Sequence, residues 1–222
     1  MLNFKKKIIL AVTGASGAPY ALRLLEHLVL SGVQVSFLIS PAGALTIKEE
    51  CDIHLPAKPE VLQQRLTELT GATAQQILCY GRNDWFAPMA SGSAAFDAMI
   101  ICPCTMRALA AVAMGLSDSL IERAADVMLK ERRQLILVPR EMPLSVIHLE
   151  NMLKLARAGA EIIPPMPGFY YRPDSVDDLI DFVVARLLDR LGLAHSLGQR
   201  WGSAELLRSN LTLCRQCSML KL

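Results

Sequence analysis

The segment KIILAVTGASGAPY at residues 7–20 limits the possible folds of this chain more than any other part of its sequence. The five apolar residues from Ile8 to Val12 are typical of a buried strand in a parallel sheet. Small residues at 13–17 then predict a tight turn, and from Ala18 onward the apolar residues recur at helical spacing. A strand, a glycine-containing turn and a helix therefore follow one another directly, as they do in α/β proteins.

The turn between this strand and helix predicts an anion site, because free backbone N–H groups and the helix dipole point toward it. Gly14 and Gly17 would let a ligand approach the backbone, and Ser16 adds a hydroxyl group. The turn lacks the G-x-G-x-x-G pattern of dinucleotide folds, and the second predicted strand ends in Ser40 rather than an acidic residue. We therefore expect a single phosphate rather than NAD, although a glycine turn that only connects strand to helix has the same pattern.

Composition narrows the functional classes further. The chain has 222 residues, which fits one α/β domain with some additional helix. Its hydrophobic fraction of 52% and mean hydropathy of +0.33 are high, so either the core is large or other subunits cover part of the surface. The net charge of +2 gives no electrostatic case for nucleic acid or an anionic membrane, and no apolar run is long enough for a membrane span.

Two features bear on the cellular compartment. Lys5–Lys7 precede an apolar run, as in export signals, but the five apolar residues are fewer than the roughly 7–15 that such signals need. The six cysteines are scattered, which indicates a reducing compartment, so we expect a cytoplasmic protein. Cys102 and Cys104 lie at a strand end, whereas Cys214 and Cys217 lie in a tail, so no shared zinc site is expected.

Strand and helix patterns alternate along the whole chain. The predicted strands cover 8–12, 34–39, 76–80, 98–102, 134–138 and 161–163. The predicted helices begin near residues 18, 42, 59, 106, 118, 145 and 175, and a long loop covers 81–93. This alternation predicts an α/β fold with a mostly parallel sheet and helices on both faces.

Ligands of such sheets bind beyond the carboxyl ends of the strands. Hydroxyl groups, arginines, one carboxylate and two tyrosines follow the predicted strands at Thr13–Ser16, Ser40, Cys104–Arg107, Arg140–Glu141 and Tyr170–Tyr171. This set suits a phosphorylated aromatic cofactor. The four histidines are dispersed, and we expect neither a metal cluster nor a catalytic histidine among them.

Longer motifs indicate a family resemblance. They are T-G-A-S-G-A at 13–18, A-S-G-S at 90–93, C-P-C-T at 102–105, R-A-A-D-V-x-L-K-E-R-R at 123–133, L-V-P-R-E-x-P at 137–143 and P-G-F-Y at 167–170. On these motifs, the chain from about Lys7 to Trp201 closely resembles the UbiX-type flavin prenyltransferases. The resemblance implies a three-layer Rossmann-like or flavodoxin-like domain at 1–202, a C-terminal tail at 203–222, and a homododecamer with active sites at subunit interfaces.

The resemblance also implies a reaction and its residues. The dimethylallyl group of dimethylallyl monophosphate would be joined to N5 and C6 of reduced FMN, phosphate would leave, and the prenylated FMN would serve a UbiD-type decarboxylase, often in ubiquinone synthesis. FMN would be held by Gly14, Ala15, Ser16, Ser40, Thr105, Met106, Arg107, Ala108 and Arg140. The substrate-binding residues would be Ser91, Arg123, Lys130, Arg140, Tyr170 and Arg186, and the catalytic ones Ser16, Glu50, Trp85 and Glu141. No metal ligand is implied.

These residue types suit that chemistry. A departing phosphate must be neutralised, and each charge-assisted hydrogen bond contributes about 1.5–3 kcal/mol, so basic side chains could replace a divalent metal. An aromatic face stabilises positive charge on the prenyl carbons by about 2 kcal/mol when desolvated. From the residues alone, Lys130 is more typical of a solvated helix end and Trp85 of a half-buried loop anchor. Glu50 and Arg186 would likewise be ordinary solvated side chains.

Two other functions remain open at this point. One is an FMN-dependent decarboxylase of the cysteinyl-peptide or phosphopantothenoylcysteine type, which resembles this chain in fold but uses a catalytic histidine and a P-A-S-A-N-T motif. The corresponding turn here, Pro103–Arg107, has the sequence P-C-T-M-R. The other is a non-catalytic flavin carrier, which would need the flavin site but neither the basic residues nor Glu141.

Overall fold

The structure, a computed structural model, describes residues 4–198. Its strands are β1 (Lys7–Val12), β2 (Gln34–Ile39), β3 (Ile77–Cys79), β4 (Ala98–Cys104), β5 (Gln134–Pro139) and β6 (Glu161–Ile162). Its helices are α1 (Ala18–Leu30), α2 (Pro41–Cys51), α3 (Pro59–Thr70), α4 (Met106–Ala113), α5 (Leu120–Lys130), α6 (Val146–Ala158) and α7 (Val176–Arg190). These elements confirm the predicted order and lie within a few residues of the predicted bounds.

The six strands of the described range form one sheet in the order β3-β2-β1-β4-β5-β6, and every neighbouring pair is parallel. The predicted, mostly parallel α/β sheet is therefore confirmed. The order reverses between β1 and β4, so the connections on either side of this point leave in opposite directions. Ligands of doubly wound sheets bind in the crevice that this reversal opens at the carboxyl ends of the strands.

Alternate residues of the strands feed two separate cores, which makes the fold three-layered. Ile8, Leu10 and Val12 of β1 are buried with side chains of α1, α3 and α7. Ile9 and Ala11 point to the other face and are buried with side chains of α4 and α5. A strand buried on both faces must be apolar throughout, which explains the unbroken run in β1.

Several segments carry details that the sequence patterns did not predict. Strand β4 extends through Pro103 to Cys104, and its register with β5 shifts between Ile101 and Cys104. A short 3-10 turn at Pro88–Ala90 lies within the long loop after β3. Between residues 4 and 198, no helix is long and apolar enough to cross a membrane. The predicted tail at 203–222, with its two cysteines, and Trp201 lie outside the described residues.

Candidate functional site

Three helices begin around one cavity at the carboxyl edge of the sheet. Ser40 precedes α2, Thr105 precedes α4 and Ser119 precedes α5, and all three side chains line a cavity of about 360 Å³. Each hydroxyl accepts the N–H of the third residue of its helix, at 3.0, 3.1 and 3.5 Å respectively. Three helix dipoles therefore direct partial positive charge toward this space, which favours an anion.

Two arginines add full positive charge to the same cavity. Arg82, from the loop after β3, and Arg107, in the first turn of α4, both line it. Of the predicted FMN-binding residues, Gly14, Ser40, Thr105, Arg107 and Ala108 lie in this lining. The volume falls within the range of roughly 300–1,000 Å³ that is usual for small-molecule sites.

The side chain of Thr13 joins the two turns that form the cavity. Its hydroxyl donates to the Pro103 carbonyl oxygen at 2.8 Å and accepts the Thr105 N–H at 2.8 Å. Thr13 is 5% exposed, so both bonds are shielded from water. Because one hydroxyl serves as donor and acceptor, the turn after β1 and the turn after β4 are held in a fixed relation.

The structural requirement for glycine at position 14 differs from the one that the sequence suggested. A Cβ at this position would lie 2.4 Å from the Cβ of Ala42, in the first turn of α2. The glycine is therefore required by the close approach of α2, and ligand access is not needed to explain it. At Gly17 the backbone has φ +124°, a conformation that L side chains rarely adopt.

A carboxylate of the chain lies at the start of α1, where the sequence predicts a phosphate, and the role of this turn in binding FMN stays a prediction. Glu50 Oε2 accepts the N–H of Gly17 at 2.9 Å and the N–H of Ala18 at 2.8 Å. Burial alone would raise the pKa of Glu50, but hydrogen bonds from Ser16, Gly17 and Ala18, together with the charge of Arg140, hold the pKa below its ordinary value. Glu50 is therefore ionised at neutral pH and serves as the acceptor for this helix end.

Arg140 fixes the other side of the same turn. Its Nε donates to the Ser16 carbonyl oxygen at 3.0 Å, and its own N–H donates to the Cys104 carbonyl at 3.3 Å. Glu141 follows it and accepts the N–H of Met142 at 3.1 Å. Ser16, Glu50 and Arg140 thus form one connected group beside the cavity, although they come from three separate segments.

Three predicted substrate-binding residues do not line the cavity. Lys130 ends α5 and forms an ion pair with Glu131, next to the start of β5 and so at the amino edge of the sheet. Ser91 lies in the neighbouring loop, where its hydroxyl shares a 2.9 Å hydrogen bond with Ser93. Arg123 donates to the Ala90 carbonyl at 3.0 Å and pairs with Asp126. A six-residue strand spans about 17–20 Å, so the fold of one chain keeps Lys130 apart from Arg140.

Of the remaining predicted residues, Ala15 and Met106 are buried, whereas the other three are on the surface. Trp85 is 48% exposed and Tyr170, which follows β6, is 39% exposed. The ring of Tyr170 packs edge-on against Tyr171 and Phe182, at 5.7 and 5.8 Å between centroids. Arg186 lies in the second half of α7, 3.5 Å from Asp189. These positions are open to a neighbouring molecule, but the roles that the resemblance gives them stay predictions.

The sequence patterns missed six cavity residues, which are Pro41, Ala42, Arg82, Ser119, Ile121 and Glu122. A signal for two of them was present, since the spacing Ser119-x-x-Glu122 before an apolar run is typical of a helix start. Nothing in the sequence alone places Arg82 beside them. Within residues 4–198 no group of three histidine, cysteine, aspartate or glutamate residues could hold a metal ion.

Comparison with known proteins gives consistent results across nearly all of the described chain. The model of the Flavoprotein family matches residues 2–188. The flavin prenyltransferase UbiX of Pseudomonas aeruginosa is 58% identical over 201 residues, which cover 90% of this chain and 96% of that protein. This exceeds by far the identity at which two sequences share a family.

Two solved structures superpose closely. AnUbiX (PadA1), in complex with FMN and dimethylallyl pyrophosphate, has a TM-score of 0.79 and 42% identity, over 89% of this chain and 98% of that chain. A dodecameric FMN-dependent UbiX-like decarboxylase from Escherichia coli O157:H7 has the same TM-score and identity, over 89% and 100%. A PPC decarboxylase is 18% identical with a TM-score of 0.53, which shows a shared fold alone.

Proposed function

This chain belongs to the UbiX flavin prenyltransferases of the Flavoprotein family, and from this premise we propose how its own residues serve the transfer of a dimethylallyl group to FMN. The observation that carries the proposal is the cavity at which α2, α4 and α5 begin. Its three capped helix starts and two arginines suit the phosphate of FMN, and its volume suits a small cofactor. Reduced FMN supplies the nucleophilic N5 and C6 positions when bound.

Ser16 and Glu50 are proposed to transfer a proton during the prenylation reaction. The Ser16 hydroxyl is hydrogen-bonded to the Glu50 carboxylate, whose pKa is held low by that bond, by two backbone N–H groups and by Arg140. A hydroxyl backed by a fixed, ionised carboxylate can pass a proton without moving the backbone. Arg140 keeps the turn in place through the Ser16 carbonyl.

The phosphate of the allyl substrate is proposed to be bound by side chains from more than one subunit. Arg140 and Tyr170 follow strands at the carboxyl edge, whereas Lys130 lies at the amino edge of the same subunit. A complete set of cationic partners for a departing phosphate therefore requires a neighbouring copy to present Lys130. Arg186, 62% exposed on α7, is available for the same purpose.

Mixed oligomers test this sharing of the site. Co-expression of a Lys130→Ala chain with an Arg140→Ala chain should restore transfer that neither variant supports alone, because some sites receive an intact residue from each chain. The matched control pairs Arg140→Ala with Glu50→Gln, which both alter the carboxyl edge of one subunit and should not complement. Complementation in the control, or none in the test pair, would contradict the sharing.

Helix α6 supplies the surface for such an assembly, which we propose to be a dodecamer. Only Leu155 of this helix is buried, while Val146, Ile147, Leu149 and Leu153 are 50–69% exposed. An apolar stripe of this kind on a monomer usually marks a protein contact. The similar Escherichia coli protein is dodecameric.

The product is proposed to pass to a UbiD-type decarboxylase in the cytoplasm. Cys51, Cys79, Cys102 and Cys104 are free thiols, which fits a reducing compartment. A direct FMN-dependent decarboxylation is the second candidate, favoured by the similarity to the Escherichia coli protein, which is named a decarboxylase. Incubation with FMN and an aromatic acid would separate the two, since a prenyltransferase alone releases no carbon dioxide from the acid.

A further inference from the structure

Glu122 is a cavity residue with a buried carboxylate oxygen that no other described residue contacts by a hydrogen bond. It lies in the first turn of α5 and lines the cavity with Ser119 and Ile121. Its Oε2 is buried and has no hydrogen-bond partner among the described residues. A buried acceptor without a donor is costly, so a position of this kind calls for an explanation.

Three possible donors lie at the same helix start or in the same cavity, and none of them pairs with Glu122. In α6 and α7, the third residue of the helix bonds back to the N–H of the capping serine. In α5, the Ser119 side chain accepts the N–H of Glu122, but at this helix start the Glu122 carboxylate does not accept the N–H of Ser119 in return. Arg82 and Arg107 line the same cavity, yet across residues 4–198 no ion pair joins either of them to Glu122.

A ligand that satisfies this cavity must combine two different groups. The helix starts and the arginines require an anion, whereas the Glu122 carboxylate can only accept a hydrogen bond and would repel that anion. The ligand must therefore carry a neutral donor at a distance from its negative charge. The ribityl phosphate chain of FMN has this composition, with three hydroxyl groups between the ring and the phosphate.

We propose that Glu122 accepts a hydrogen bond from a ribityl hydroxyl of FMN and thereby selects a hydroxylated side chain on the flavin. This inference rests on the proposed function, since it takes FMN as the occupant of the cavity. Glu122 is not among the predicted FMN-binding residues. Its proposed role is to recognise the ribityl chain of the cofactor.

The test compares two flavins that both carry a phosphate. One is FMN, and the other is the analogue in which a phosphopentyl chain without hydroxyls replaces the ribityl phosphate. Dissociation constants are measured by quenching of flavin fluorescence for the full chain, for Glu122→Ala and for the isosteric Glu122→Gln. Glu68→Gln, at an exposed site on α3, is the matched control.

The ratio of the two dissociation constants is the informative quantity. Loss of a charge also changes the attraction for phosphate and the stability of α5, but these effects are the same for both flavins and cancel in the ratio. The unaltered protein and the control should prefer FMN by roughly ten- to a hundredfold, the worth of a charge-assisted hydrogen bond. Glu122→Ala should reduce this preference at least tenfold, and Glu122→Gln by a smaller factor.

The possible outcomes distinguish the role of Glu122 from the proposed function. An unchanged preference in Glu122→Ala would overturn the role of Glu122 while FMN binding itself stands. Failure of the unaltered protein to bind FMN would overturn the proposed function, and with it any reason to assign the ribityl contact.

Discussion

A methyl group added at Gly14 should displace helix α2 and thereby weaken flavin binding. The new Cβ would lie 2.4 Å from Ala42 Cβ, so the helix must move by about 1 Å to restore an ordinary contact of 3.4 Å. Overpacking of this kind costs about 1–3 kcal/mol. For a domain of this size, that cost corresponds to a fall of roughly 2–12 °C in melting temperature. Since Ser40 caps α2 and lines the cavity, the dissociation constant for FMN should rise as well.

The double variant Gly14→Ala/Ala42→Gly distinguishes displacement of the helix from direct obstruction of the ligand. Removing the Ala42 methyl relieves the closest contact, at an intrinsic cost of about 0.5–1 kcal/mol for a helical glycine. FMN affinity, measured by fluorescence quenching, should then recover most of its loss, although the Ala42 backbone at 3.1 Å stays tight. Full FMN affinity in the single variant would refute the packing argument, and an unrecovered loss in the double variant would show that the methyl blocks the flavin itself.

Three further predictions concern contacts around the same region and the exposed face of α6. Thr13→Val should leave the Thr105 N–H without its acceptor and cost about 1–3 kcal/mol in thermal unfolding, with Thr13→Ser as the variant that retains stability. Glu50→Gln should lower the melting temperature at neutral pH; because the folded pKa of Glu50 is lowered, this difference should shrink as the pH falls below about 4.3, and a pH-independent difference would disprove it. Ile147→Glu, at a side chain that is 67% exposed, should dissociate the oligomer in sedimentation velocity, and an unchanged sedimentation coefficient would exclude α6 from the interface.

The local patterns of the chain were sufficient to predict its fold. The apolar run of β1 can be buried on both faces only in a parallel sheet, and the switch to helical spacing at Ala18 sets where the strand must turn. The cavity residues Ser40 and Thr105 were predictable for the same reason, since each follows a strand and caps a helix. The places of these two residues depend only on the strand and helix that adjoin them in the sequence.

The residues that the sequence patterns did not place depend on contacts between distant segments. The start of α1 has the pattern of a phosphate site, but only the folded chain brings Glu50, 33 positions after Gly17, onto its N–H groups. Likewise, Arg82 reaches the cavity because the loop after β3 bonds to the start of α5 through Leu120. Sequence spacing carries no information on either contact. Lys130 differs again, because its proposed role depends on a second copy of the chain.

The most direct test of the central claim is the mass of the flavin after reaction. The protein is incubated without oxygen with reduced FMN and either dimethylallyl monophosphate or dimethylallyl diphosphate, and the flavin is then extracted and weighed by mass spectrometry. With the monophosphate, the account predicts a flavin that is heavier by one dimethylallyl unit, together with one equivalent of free phosphate. Neither product should form with Glu50→Gln or Arg140→Ala. A flavin of unchanged mass with both allyl substrates would contradict it.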